Sequence, residues 1–234
     1  YSFETRLWTA VDEQMPDISD HFERIASAFR AGATVYVNEA IAASNKDFST
    51  TALPLAMGRV ALGAFARREL GEHVVRARES GLVIFSGRKL DKLKSLHAIV
   101  QRGTVEMIIA GGSLAMALRK ARAEDAGEEA SIGAAGDPAN KDEKAYVPTS
   151  AVDRARQLLR DAEANDVEVV LPKDFLLEDG SADSDIPPDA WQRDIGPETR
   201  TYFDTEAMAW AEKTQRRAAF HNGVMGQFEN SMFA

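Results

Sequence analysis

The stretch VEMIIAGGSLAMALRKARAED, residues 105–125, decides how the rest of the chain is read. Its first part, VEMIIAGG (105–112), is a short apolar run that ends in two glycines. Its second part, SLAMALRKARAED (113–125), reads as the helix behind that run. A continuous apolar run without polar alternation suits a strand covered on both faces, as in a parallel sheet.

Outward from this unit the same alternation recurs. GLVIFSG (81–87) is strand-like, and a helix follows with Leu90, Leu93, His97 and Val100 on one stripe. SAVDRARQLLRDAEAND (150–166) is amphipathic, with Val152, Ala155, Leu159 and Ala162 on one side, and leads into the strand VEVVLP (167–172). A helix from about Pro197 to Glu212 and a strand at RRAAF (216–220) precede the glycine-bearing AFHNGVMGQFEN (219–230). Towards the other end, ISDHFERIASAFRAG (18–32) places Ile18, Phe22, Ile25, Ala26 and Phe29 on one helical face. TVYVN (34–38) reads as a buried strand, and ALGAFARRELGEHVVRARES (61–80) as one long helix joining two such series. Residues 124–147 lose all periodicity and predict a mobile surface excursion. The pattern predicts an α/β fold with parallel sheets covered on both faces, its glycine loops at the carboxyl ends of the strands.

Composition removes several functions. A net charge of −9 and a pI near 5.1 argue against a nucleic-acid partner, which needs a basic face. There are no cysteines, so disulfides, thiol catalysis and zinc–thiolate sites are excluded. His21, His73, His97 and His221 are scattered without metal-ligand spacing, and no protein-bound metal is expected. No apolar run approaches the roughly 20 residues that span a bilayer, and no secretory signal opens the chain. The expectation is therefore a soluble, intracellular protein without membrane insertion. The chain begins at Tyr1 rather than Met, which suggests sequence in front of it.

Three strand ends carry small residues: SGRK (86–89), AGGS (110–113) and HNGVMG (221–226). Glycine there admits a phosphate or a flat base close to the backbone, or else serves only tight packing. Three such ends on one sheet favour a nucleotide-sized ligand, although none matches a P-loop or a complete dinucleotide fingerprint. Lys89 and Lys92 either reach phosphate oxygens from a helix start or form a solvated face. Glu229 either holds a ribose hydroxyl or is a surface acid. Asp194, in RDIGPET (193–199), precedes Gly-Pro and reads as a helix cap.

These segments together resemble the phosphoglycerate kinase family over nearly the whole chain. VYVNEAIAASNKDFST (35–50) resembles the family's VYVNDAFGTAHRAHAS, and GAFARREL (63–70) its AGFLMEKEL. SGRKLDKLK (86–94) is similar to GGAKVSDKI with one residue deleted, and IAGGSLAMALRKA (109–121) to IGGGMAYTFLKA. LPKDF (171–175) resembles LPVDF, and IPPDAW…DIGPET (186–199) resembles a tryptophan-bearing segment ending DIGP-x-T. HNGVMGQFE (221–229) resembles WNGPMGVFE. The resemblance implies two Rossmann-like three-layer (αβα) domains joined by an interdomain helix. Residues 1–70 would be the later part of the substrate domain, 61–80 the connecting helix and 81–234 most of the nucleotide domain. Gly87, Gly111, Gly112, Asn222, Gly223 and Glu229 would contact ADP or ATP, with Mg²⁺, and Lys89 and Lys92 its phosphates.

Departures from the family pattern fall on charge-bearing positions. A substrate-binding arginine is replaced by Lys46 and a histidine by Phe48 within Ser44-Asn45-Lys46-Asp47-Phe48. Lysine cannot reproduce the guanidinium fork. Leu7 stands where the family's LENLRF carries arginine, Ser113 replaces a glycine, and Val224 and His221 replace the proline and tryptophan of WNGP. The family's opening motifs would precede Tyr1, and its GGGDT phosphate loop would follow Ala234.

The resemblance and its departures thus imply a degenerate relative without phosphoryl transfer, a structural or accessory subunit with protein partners in a larger assembly. Two alternatives stand beside it. One is an active phosphoglycerate kinase of glycolysis (ATP + 3-phosphoglycerate to ADP + 1,3-bisphosphoglycerate) represented by a fragment. The other is a non-catalytic module that binds ADP or ATP for regulation.

Overall fold

The computed structural model describes residues 24, 27–32, 35–39, 41, 50, 53–216, 218–227 and 229–230. Leu7, Ile18, Phe22, Ile25, Ala26, Lys46 and Phe48 lie outside the described residues. The chain forms two compact units, Tyr1–Val75 and Arg76–Ala234.

In the first unit β1 (Tyr36–Asn38) pairs in parallel with β2 (Val60–Leu62), and α1 (Leu53–Met57) lies between them in sequence. The pair is not the buried strand expected from TVYVN: Val37 is 50% exposed and Val60 59%. An apolar run records strand propensity, not how many layers cover it. The long helix predicted over 61–80 starts later, because 60–62 are engaged with β1. Gly63 ends the strand and caps α2 (Ala64–Arg68), which runs through a π-helical turn (Glu69–His73) into α3 (Val74–Arg78). Glu39 accepts from the first free amides of α2, Ala66 N at 2.9 Å and Phe65 N at 3.3 Å. Its carboxylate occupies the space that a side chain at residue 63 would need.

The second unit is built on a four-stranded parallel sheet, in the order β5-β4-β3-β9. Its strands are β3 (Leu82–Phe85), β4 (Met107–Ala110), β5 (Glu168–Val170) and β9 (Ala219–Asn222). Successive residues alternate between the two faces. Val83, Phe85, Ile108 and Ala110 pack into one core. Leu82, Met107, Ile109 and Val170 pack into the other. The first core is covered by α4 (Lys92–Val100), α5 (Gly112–Ala126) and α6 (Thr149–Ala164). The second is covered by α7 (Pro197–Lys213), through Phe203, Tyr202 and Trp210. This is a three-layer α/β arrangement with both sheet faces buried, which explains the unalternated strand sequences.

Four sequence expectations need correction here. On α4 the buried stripe is Leu93, Leu96, Ile99 and Val100; His97 faces out and its Nδ1 lies 2.9 Å from Asp161 Oδ2 of α6. The last strand is Ala219–Asn222 rather than 216–220, so AFHN is itself the strand. Residues 124–147 are not a loose excursion. The helix α5 continues to Ala126, two short 3₁₀ turns follow (Gly133–Gly136 and Pro138–Asn140), and Ile132, Ala134, Ala135 and Val147 are buried. Val147 N donates to the Ala135 carbonyl at 2.8 Å. Single aliphatic anchors at irregular spacing leave no period to read.

The fourth concerns the cap of α7. Among the described residues Asp194 accepts from its neighbour Ile195 N, at 2.7 Å, and from Arg200 at 3.4 Å, neither of them a first-turn amide of α7. The capping carboxylate is Asp174. It accepts from Thr199 N and Thr199 Oγ1, both at 2.7 Å, and from Glu198 N at 3.1 Å. A small antiparallel sheet, which the sequence did not indicate, brings these segments together: β6 (Phe175–Leu177) pairs with β7 (Ala182–Asp183) and β8 (Gln192–Ile195). Among the described residues no helix is long and apolar enough to cross a membrane.

Candidate functional site

The parallel sheet switches direction of growth at β3: β4 and β5 extend one side, and β9 returns to the other. Open α/β sheets form a crevice beyond the carboxyl ends of strands at such a point. Here the loops after β3, β4 and β9 meet. Gly111 N donates to the Phe85 carbonyl at 3.0 Å, and Ser86 N donates to the Asn222 carbonyl at 2.9 Å. Gly112, at φ +62°, lets its loop approach Gly87 so closely that a Cβ would stand 2.8 Å from the Gly87 carbonyl oxygen.

Beyond these strand ends lies a cleft of about 190 Å³. One wall is Gly87, Arg88, Gly112, Ser113 and Met116; the other is Trp191 and, from β8 of the small sheet, Gln192 and Arg193. Val224, Met225, Gly226, Gln227 and Glu229 form its lip. Gln227 N donates to the Arg193 carbonyl at 3.2 Å, which fastens the lip to β8. Burial raises the Asp194 carboxyl above its usual range, and backbone donation from Ile195 and the nearby Arg200 only partly offset this. Small-molecule sites typically span roughly 300–1,000 Å³. This cleft therefore encloses a flat group and leaves a longer ligand projecting over its rim.

The predicted residues divide into three groups. Gly87, Gly112 and Glu229 line the cleft. Gly111, Asn222 and Gly223 do not; they brace the strand ends behind it. Gly111 is the N-cap of α5, packed against Met225 and Ser86, and Gly223 presses on the Ser86 carbonyl. The lysines form the third group. Lys92 is turned inward: its Nζ donates to the Ser86 carbonyl at 2.6 Å and lies 5.3 Å from the centre of the Phe85 ring. Partial burial lowers its pKa from the ordinary lysine value, with Asp91 acting in the opposite sense. Lys89 is exposed and is not part of the cleft lining.

Sequence reasoning missed Arg88, Met116, Trp191, Gln192, Arg193 and Met225. Of these, only Arg88 and Met225 stand inside glycine segments already singled out. The rest come from elements whose spatial neighbours no local pattern encodes.

The two lysines make a paired expectation. Lys92→Met removes a charge-assisted bond that is partly exposed to water, and should cost about 1 kcal/mol. Lys89→Met should leave stability unchanged. Urea titrations of both variants check this, and equal midpoints would show that the Lys92 bond contributes nothing.

The comparisons with known proteins fit this geometry. The family model described as phosphoglycerate kinase matches residues 8–234. The phosphoglycerate kinase of Geotalea daltonii is 28% identical over 217 residues, covering 87% of this chain and 48% of that protein. The cytosolic phosphoglycerate kinase of Trypanosoma congolense is 26% identical over 227 residues, covering 91% and 48%. In fold the chain is similar to the solved structure of phosphoglycerate kinase from Coxiella burnetii. That match has a TM-score of 0.59 and 22% identity, covering 90% of this chain and 50% of that one. The chain spans about half the length of the curated relatives that it matches.

Proposed function

The chain belongs to the phosphoglycerate kinase family, and from that premise we propose that it holds an adenine nucleotide without transferring its phosphoryl group. In this reading it acts as an accessory subunit of a larger protein assembly. The observation that carries the reading is the division of the predicted residues. Gly87, Gly112 and Glu229 face an open cleft, while the ammonium of Lys92, which a transfer reaction would aim at phosphate, is bonded to the Ser86 carbonyl.

The cleft's chemistry suits such a ligand. Gly87 and Gly112 keep one wall free of side chains, so a flat base can lie close to the backbone. Met116, Met225, Val224 and Trp191 supply apolar surface, and Glu229 is the acceptor for a ribose hydroxyl. Glu229 is also the only carboxylate in the lining among the described residues, whereas Mg²⁺ demands six oxygen ligands. The cleft side chains therefore form no magnesium cage, and a magnesium ion would arrive on the nucleotide's own phosphates.

Calorimetric titration with ADP should show binding in the micromolar-to-millimolar range. Glu229→Ala should weaken ADP and adenosine alike by about tenfold, the worth of one hydrogen bond to a charged group. A coupled assay with ATP and 3-phosphoglycerate should show no turnover above background. No heat at millimolar ADP would sink the nucleotide reading. Turnover that Lys89→Ala abolishes would establish instead the second reading, an active phosphoglycerate kinase, which is favoured by the gathering of three family positions into one cleft.

A further inference from the structure

The loop Ser86-Gly87-Arg88-Lys89 carries two cations, and a third, Lys92, reaches back to it. Lys92 is committed to the Ser86 carbonyl, and Lys89 is exposed and not among the residues lining the cleft. Arg88 alone of the three lines the cleft. Nearby arginines are occupied: Arg193 Nη2 lies 3.0 Å from Glu178 Oε2, and Arg119 Nη2 donates to the Ser184 carbonyl at 2.7 Å. Among the described residues Arg88 makes no ion pair, hydrogen bond or ring contact. The family segment that this loop resembles has alanine at this place, so the guanidinium is a feature of this chain.

We propose that Arg88 is the specificity-determining cation of the cleft, the group that makes it prefer a nucleoside di- or triphosphate over the bare nucleoside. The inference rests on the nucleotide reading above. A volume of about 190 Å³ holds the flat end of the ligand and leaves its anionic tail at the rim. Arg88 stands on the cleft wall, exposed, with its fork of donors unspent among the described residues. A guanidinium pairs with phosphate oxygens bidentately, which an ammonium cannot do. Glu229, on the lip of the same cleft, repels phosphate and so keeps the tail on the Arg88 side. The arrangement replaces the phosphate contact that Lys92 has given up to the backbone.

The test is calorimetry of the full chain and of Arg88→Ala and Arg88→Lys, titrated with adenosine, ADP and inorganic pyrophosphate at low and high salt. In the unsubstituted chain ADP should bind about tenfold tighter than adenosine, the size of one charge-assisted contact partly open to water. Arg88→Ala should erase that gap and leave adenosine affinity unchanged, while Arg88→Lys should restore only part of it. The gap should also shrink with salt. Because the side chain has no partner among the described residues, none of these changes should move the unfolding midpoint. If Arg88→Ala binds ADP as tightly as the unsubstituted chain, the inference fails and the nucleotide reading stands. If neither adenosine nor ADP binds at millimolar concentration, both fall together.

Discussion

Asp174→Ala is expected to lower the stability of the 76–234 unit by about 3 kcal/mol, combining a lost helix cap of roughly 1–2 with buried amides left without acceptors. Asp174 is 7% exposed, and its carboxylate meets the first free donors of α7, at Glu198 and Thr199. Thr199 is fully buried, and its hydroxyl accepts from the amides of Lys173 and Asp174 at 2.9 Å each. The two residues therefore close a reciprocal clamp between β6 and the helix start. With the carboxylate gone, the amides of Glu198 and Thr199 face a gap beside Gly196, whose lack of a side chain is what makes room for that carboxylate. Urea titration followed by tryptophan fluorescence measures the loss, and Asp174→Asn should recover part of it by keeping one acceptor oxygen. A change below about 0.5 kcal/mol would remove the clamp from the account.

Asp194 should behave in the opposite way. Its carboxyl is raised above the ordinary range, chiefly by burial. A carboxyl whose folded pKa exceeds its unfolded value costs stability once the pH rises above that unfolded value, and the cost is relieved as pH falls back through the folded pKa. Asp194→Ala should therefore be far milder than Asp174→Ala at neutral pH, and the difference should narrow on acidification. Had Asp194 been the cap, as Asp-Ile-Gly-Pro suggests on spacing, the order would be reversed.

That exchange of roles shows what a sequence can and cannot carry. The strands around 82–85 and 107–110 were legible because burial on both faces leaves no alternation, and glycine marks where each one stops. The small sheet was not legible. Its strands FLL, AD and QRDI are too short for a period, the last two also polar, and their pairing joins segments brought together only by folding. The cleft follows the same division. Its glycine rim and Glu229 lie on segments with a strand-then-turn pattern, whereas Trp191 arrives just before β8 of that small sheet and Arg193 on it. Lys92 illustrates a third kind of limit. Spacing places it at a helix start, but four rotatable bonds decide whether its charge faces a ligand or the Ser86 carbonyl. Neighbours decide that, not periodicity.

The largest loss is expected from Gly223→Ala. Gly223 adopts φ +90°, a conformation that costs an L-residue roughly 1–2 kcal/mol on its own. The added methyl would also overlap the Ser86 carbonyl oxygen, which is fixed backbone, and would crowd the Lys92 ammonium at 2.9 Å. The overlap can be relieved by moving the end of β9 away from β3, which breaks the Ser86 N to Asn222 carbonyl bond, or by shifting the Ser86 carbonyl, which disturbs the bond it accepts from Lys92 Nζ. Strain of that kind adds about 1–3 kcal/mol, so the total should reach about 2–5 kcal/mol. The cleft should be lost in step, since Val224 to Gln227 follow directly and are held to β8 by the Gln227–Arg193 bond and by Gly226 against Asp194. The variant should thus unfold at lower urea and, where still folded, bind ADP too weakly to measure. Gly58→Ala is the control: it shares a positive φ, at +69°, but has nothing within 4 Å of the new methyl. It should show the conformational cost alone. Equal losses in the two variants would mean that backbone strain, and not the contact with Ser86, governs this corner of the cleft.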